Sequence, residues 1–354
     1  MPLEYYKKYA NGYQFPAEQA AAIIRTASYH RKDFDIAVIS FPDSEHQVVR
    51  TSISTSFPRF SSTSTNAGIF DRLPQELLND IFLSLDINSL IKCRQVSLPL
   101  RQAIDCLPEY QAVSTHGIDA LCALLRTRLA YNVSLSDFYQ ALCTSKCSLC
   151  SRFAGFISLP AWRRCCFVCL KLENPELQML DVDLIHNNFG IYGAAIRKLT
   201  SFATLPGTYT TLHSVESKGL TIASTGQISR TYHERYALQR VGRVGFPQDS
   251  TLAYMATCAL PYYDRQNGTA DYGISCAAAQ LTIEKTTASL TAMKVLYVAR
   301  DTVYSKEEFL EHFKECEQAQ LLWESSKDGT IEPPELPQMA KDGGVFLAGG
   351  GEIY

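Results

Sequence analysis

No run of apolar residues in this sequence approaches the roughly 18 needed to span a bilayer, so a membrane-crossing helix is not expected. A basic excess is also missing. The 33 Lys and Arg are outnumbered by 36 Asp and Glu, and a formal net charge of -3 removes the case for a globally basic nucleic-acid binder. The opening stretch, Met1 to Lys8, carries no apolar core of a secretory signal, so secretion is not expected. Asn132-Val-Ser and Asn267-Gly-Thr then read as chance matches to a glycosylation site. There is no internal repeat and no His-Glu-x-x-His string. Gly242-x-x-Gly245, Gly343-Gly344 and Gly349 to Gly351 lack the Lys-Ser/Thr that follows a phosphate loop. The seven histidines are dispersed, so an enzyme is not expected. What is present is apolar material. With 354 residues of which 46% are hydrophobic, a sizeable core is available and a wholly disordered chain is excluded. At about 150 residues per domain, the length suggests roughly two domains.

The pattern divides the chain. Pro16 to Ala27 is modestly helical, and Thr51 to Asn66 is dominated by Ser and Thr, which compete for backbone hydrogen bonds. Residues 1–66 therefore read as an N-terminal extension ending in a flexible linker. From Leu73 to Leu85 apolar side chains recur at helical spacing, with Pro74 at the helix start, where its missing N–H costs nothing. Asp86-Ile-Asn-Ser breaks that helix and supplies a cap for the next, and Pro99 marks a third. Three short helices over 70–108 cannot bury their own apolar surface well and call for a partner. Residues 118–142 add one or two helices, 181–189 another, and Ala292 to Ala299 is the best strand candidate. Ser305 and Glu308 form a capping box for a last helix to about Trp323, and a loose tail is expected over 325–354.

The strings Phe70-Asp-Arg-Leu-Pro-Gln-Glu-Leu-Leu-Asn-Asp-Ile-Phe-Leu-Ser-Leu-Asp and Ser89-Leu-Ile-Lys-Cys-Arg-Gln-Val-Ser closely resemble the F-box motif. Leu73, Pro74, Glu76, Leu77, Ile81, Phe82, Leu85, Asp86, Leu90, Val96 and Ser97 stand at the motif's places. Leu100 stands where the family usually has an aromatic residue. The resemblance implies docking on a Skp-type adaptor, and through it a cullin, with Leu73, Pro74, Leu77, Ile81, Leu85, Leu90 and Val96 meeting the adaptor. The F-box would span 67–112, followed by a C-terminal domain over 113–324.

Twelve cysteines are present, and six of them fall between 143 and 169. Such clustering without a signal peptide favours metal over disulfides. Cys147-x-x-Cys150 and Cys166-x-x-Cys169 are separated by fifteen residues, a spacing that suits structural zinc held tetrahedrally by four cysteines. Cys165 could replace Cys166, and Cys143 is a weaker candidate. Lys146, Arg152, Arg163, Arg164 and Lys171 surround the site without an intervening acid, and their simplest role is to offset charge and donate to sulfur. The stretch also resembles a cysteine-rich, zinc-ribbon-like block found downstream of the F-box in many fungal F-box proteins, through Phe153, Gly155-Phe156, Leu159-Pro160, Arg164 and Cys166-Phe167.

Two further blocks, Gly273 to Gln280 and Phe309 to Cys316, are similar to the same relatives, which tend to carry a cysteine where this chain has Ala279. Cys276, His312 and Cys316 then form a possible degenerate second metal site. His312 and Cys316 at i and i+4 could reach one ion, although Phe309 and Phe313 share the stripe and Cys316 could be core.

The expected fold is mainly α with a smaller α+β part: a three-helix F-box and a zinc-stapled helical/β domain. The expected function is a non-catalytic substrate-recognition adaptor of a cullin-type (SCF) ubiquitin ligase, acting on an unknown protein target in the cytoplasm or nucleus. The alternative is a zinc-stabilised scaffold without a ligase role, touching protein, or nucleic acid through the basic residues with Phe153, Trp162 and Phe167. Five basic residues are as easily a charge-balancing face.

Overall fold

The computed structural model of the protein describes residues 12–41, 70, 72–172, 174, 176–189, 199–210, 214–228, 250–286 and 290–344. The proposed linker at 51–66 and the last ten residues lie outside these. The architecture is mixed, mainly α with small sheets. The helices in chain order begin with α1 (Ala20–Ala27) and α2 (Lys32–Ala37) in the N-terminal segment. The trio anticipated from the pattern is α3 (Gln75–Ser84), α4 (Ile87–Val96) and α5 (Leu98–Asp105). Then come α6 (Pro108–His116), α7 (Ile118–Arg126), α8 (Leu135–Leu142) and the short α9 (Phe167–Lys171). The C-terminal part holds α10 (Val182–Phe189), α11 (Ser250–Tyr254), α12 (Ala277–Lys285), α13 (Leu290–Arg300), α14 (Lys306–Glu315), α15 (Glu317–Ser325) and α16 (Gln338–Asp342).

Caps explain the trio's boundaries. The Asp86 carboxylate accepts from the Ser89 amide at 2.9 Å, starting α4, and the Ser97 hydroxyl caps α5 ahead of Pro99 in its first turn. Leu78, Phe82, Ile87, Leu90, Leu100 and Ile104 enter one core together with α6, α7 and α8. The trio is therefore fused to the helices after it. The Ile87 and Leu135 amides donate to the carbonyls of Val133 and Leu85, stitching the α3–α4 turn to the start of α8.

A three-stranded sheet links this core to the next. Phe156–Ser158 is the central strand between Arg163–Cys165 and Thr257–Ala259, antiparallel to both. Alternation of side chains places Ile157 in the helical core and Phe156 in a second core built around the cysteines. A third core gathers Ile23, Cys276, Phe309, Phe313 and Trp323.

Three expectations change here. Residues 292–299 are helical within α13, because Met293, Leu296, Tyr297 and Arg300 recur at helical spacing on the more buried face while Lys294, Val295 and Ala299 are exposed. The last predicted helix is two: the Ser305–Glu308 capping box starts α14, and the chain breaks at Cys316, whose extended backbone opens α15. Residues 326–344 are docked where a loose tail was expected, with Ser326 and Ala340 buried and the Gly343 carbonyl accepting from the Asp33 amide. The N-terminal segment is likewise covering material. Ser28–Tyr29 pairs antiparallel with Ser275–Cys276, and Ile23 and Ala27 are fully buried.

Candidate docking face and metal centres

Helix α3 has two apolar stripes. Leu78 and Phe82 point into the helical core, whereas Leu77 and Ile81, one turn apart, face out at 51% and 39% exposure. Val96, at the end of α4, is 74% exposed. Pro74 is exposed, and Leu73 and Leu85 are half-buried against the core. Leu90 differs from its expected role: it is fully buried in the chain's own core, because α4 turns that face toward α5 and the helices beyond. Leu100, where an aromatic was the family's habit, is also buried, and a leucine fills that place among Leu90, Ile104 and Leu107. A buried ion pair supports the trio from within, the Arg94 Nε donating to the Asp105 carboxylate at 2.7 Å. The family model of the F-box domain matches residues 70–111, the same three helices and the start of α6.

Residues 70–111 are an F-box domain.

Comparison of the chain with curated proteins and with solved structures returns no match. The F-box leaves Leu77, Ile81 and Val96 outside its fold while fixing their backbone through a core shared with α6–α8. Among the described residues, no helix is long and apolar enough to cross a membrane.

Downstream of the F-box, the cysteine spacing closes into a site. The sulfurs of Cys147, Cys150, Cys166 and Cys169 all lie within 4.8 Å of one another. Cys150 and Cys166 are 3.5 Å apart, near the edge of about 3.8 Å that a tetrahedron with Zn–S bonds of about 2.3 Å requires. None of the twelve cysteines is in a disulfide. The first knuckle is a tight turn, with the Ser151 amide donating to the Cys147 carbonyl and Ser151 itself at φ +60°. The hairpin Phe156–Ser158 and Arg163–Cys165 returns the chain, and Cys166 becomes the N-cap of α9. Its sulfur accepts from the Cys169 amide at 3.4 Å. This settles the choice left open by the sequence: Cys165 points into the core, fully buried, and Cys143 also lies outside the four.

The thiols are poised unequally. A hydrogen bond from Cys166, aided by the amides of Leu149, Cys150 and Cys166, draws the Cys147 thiol down to about 4. Cys166, as the donor in that pair and partly desolvated, is pushed up. Burial and the neighbouring Cys150 push Cys169 up to about 12. A bound cation would displace those protons, so the donor set suits a soft divalent ion, zinc above all. The four cysteines would hold it; the fit rests on their spacing and on the amides that face the sulfurs.

Four of the five surrounding cations bond to carbonyls or carboxylates where donation to sulfur was expected. Arg164 is buried and donates to carbonyls instead of sulfur: Leu260 at 2.6 Å, Pro261 at 3.2 Å, and Ala154. Burial lowers its guanidinium to about 10. Lys146 pairs with Glu308, Arg163 with Glu176, and Lys171 with Asp301, acids that lie outside the 146–172 window in sequence. Phe153 and Phe167 are fully buried and offer no stacking surface.

The segments that cover this site carried no sequence signal of doing so. Arg31 grips Asp33 through two bonds of 2.7 and 2.8 Å and reaches Asp301 at 3.1 Å. Asp301 also accepts from Arg300 and from Lys171 on the knuckle helix α9. Arg31 lies 3.7 Å over the Phe34 ring, which stacks on Phe167 at 3.5 Å. These cations hold the Asp301 carboxyl well below the usual range despite its burial. His30 donates through Nε2 to the Asp35 carboxylate, 2.8 Å away, and that bond raises its pKa.

The second set, Cys276, His312 and Cys316, is also brought together, its ligand atoms within 4.8 Å of one another. The route differs from the expected helix face, since α14 ends at Glu315 and Cys316 stands in the break before α15.

Proposed function

We propose that this chain is a non-catalytic substrate-recognition adaptor of a cullin-type ubiquitin ligase, with its F-box docked on a Skp-type adaptor. The observation that carries the reading is the outward stripe of α3. Leu77 and Ile81 are apolar, exposed and held on a helix whose neighbouring stripe, Leu78 and Phe82, is already committed to the core. A partner helix laid along that stripe would bury it as an amphipathic groove contact. Ubiquitin transfer would lie in other subunits, and the residues after 113 would present the surface for a protein target in the cytoplasm or nucleus. Structural zinc on Cys147, Cys150, Cys166 and Cys169 would keep that surface in shape. The scaffold reading that reaches nucleic acid has less support, because Arg164 is consumed by carbonyls and Lys146 and Arg163 are paired with acids.

The test uses the full chain, because the F-box helices share their core with residues beyond 112. Titration calorimetry against a purified Skp-type adaptor is expected to show specific binding. Ile81→Asp should weaken it by more than about 30-fold, the behaviour of an interface hot spot worth about 2 kcal/mol or more. Absence of binding by the wild-type chain, with circular dichroism showing it folded, would remove the ligase reading.

A further inference from the structure

The two cysteine sites share a construction detail that bears on the second. At the first, Cys166 is the N-cap of α9 and Cys169, three residues on, sits in its first turn; both sulfurs join the cluster. At the second, Cys276 is the N-cap of α12, so residue 279 occupies the equivalent first-turn place, and it is alanine. Cys316 in turn is the N-cap of α15. Both cysteines thus stand at the N-terminal end of a helix, as Cys166 does at the first site. His312 supplies the third donor. Its Nε2 is buried without a hydrogen-bond partner among the described residues, a condition a native fold rarely leaves unanswered. Tyr304 stacks on the imidazole with centroids 4.8 Å apart, fixing the ring plane. Cys276 is fully buried, whereas His312 and Cys316 are only half-buried, so one side of the cluster remains reachable.

We propose that Cys276, His312 and Cys316 hold a second zinc ion through two thiolates and one imidazole, with water in the fourth coordination position, because Ala279 stands where a knuckle would place its second thiolate. Two soft sulfurs and an imidazole select zinc over hard divalent ions. Three protein ligands plus water is an open arrangement, in contrast to the closed four-cysteine set. Zinc in the second site therefore exchanges readily while zinc in the first does not. The ion would tie the start of α12 to the α14–α15 break, two elements that already pack in one core with Ile23 of the N-terminal segment. The inference does not rest on adaptor docking.

The experiment is metal analysis and chelator-release kinetics on the purified full chain. Wild type is expected to carry two zinc ions per chain, released in a fast and a slow phase. His312→Ala should remove the fast-released ion alone. Ala279→Cys, which adds a ligand without removing one, should convert fast release to slow by more than about tenfold, the lower end of what even outer-shell changes do to metal affinity. Cys150→Ser assigns the slow phase to the first site, so failure of the four-cysteine reading is told apart from failure of this one. A metal content unchanged by His312→Ala would overturn the second site. Two ions with no effect of Ala279→Cys on release would overturn its open position.

Discussion

The helical half of this protein, residues 72–142, and the thiol-bearing half solve the same stability problem with different physics. The first buries leucines and phenylalanines: Phe82, Leu90, Ile104, Leu121 and Phe138 are all fully enclosed. A buried ion pair, Arg94 with Asp105, sits at the margin of that core. The second half is assembled from short strands, a five-residue helix and chain segments some 270 positions apart, such as Arg31 and Asp301. Elements this small cannot hold themselves by apolar burial alone. A buried charge network around Asp301 and, on the proposed reading, metal held by the thiols take that role. With metal on the thiols as proposed, its loss should leave the exposed stripe of α3 in place and disturb the second half.

Metal removal is expected to separate the two halves most strongly. A structural zinc can contribute about 10–16 kcal/mol of apparent binding free energy, more than most domains hold in reserve. Cys150→Ser is therefore expected to unfold the segment around the four cysteines, residues 144–172, and leave the core around Cys276 in place. Hydrogen exchange should show loss of protection over 144–172 while the helices of 75–142 stay protected. Equal loss in both halves would mean that the helical core does not stand by itself.

A smaller effect is expected from Leu90→Ala, which deletes a fully buried side chain. Such truncations cost about 2–5 kcal/mol, and the helical half should melt earlier. Adaptor affinity of the folded molecules should be retained, since Leu90 faces inward. Lost affinity at unchanged stability would instead make Leu90 a contact residue.

The smallest effect is electrostatic and belongs to the thiol half. The bond to Asp35 raises the pKa of His30 above its unfolded value. The stabilisation is thus fully present below about pH 6.5 and is lost as pH rises through the raised folded value. Denaturant midpoints of wild type and Asp35→Asn should differ more at about pH 5.5 than at about pH 8. A difference independent of pH would show that the pair contributes nothing through protonation.

Much of the candidate chemistry was legible because it is local. A C-x-x-C turn aims two sulfurs at one point, and fifteen residues suffice for a hairpin to return the second pair. The F-box stripe was legible for the same reason, since residues three and four apart share a helix face. The stretch 292–299 misled because Val, Leu and Tyr in a short apolar run suit strand and helix alike. Only the packing of Met293, Leu296 and Arg300 on the more buried face decides for the helix. Likewise Arg164 was correctly placed beside the cysteines, but its carbonyl partners at 260 and 261 come from a strand pairing that no local pattern contains.

The amino-acid order alone determined the three helices of the F-box, their caps, and the four sulfurs that can meet. Tertiary structure alone decided that Leu90 turns inward while Leu77 and Ile81 remain outside, and that Cys166 rather than Cys165 completes the four. It also decided that residues 12–41 and 326–344 are walls of the second half. Spacing within a turn or two is written into a short stretch of chain, whereas which distant surface covers a face depends on the free energy of the whole packing.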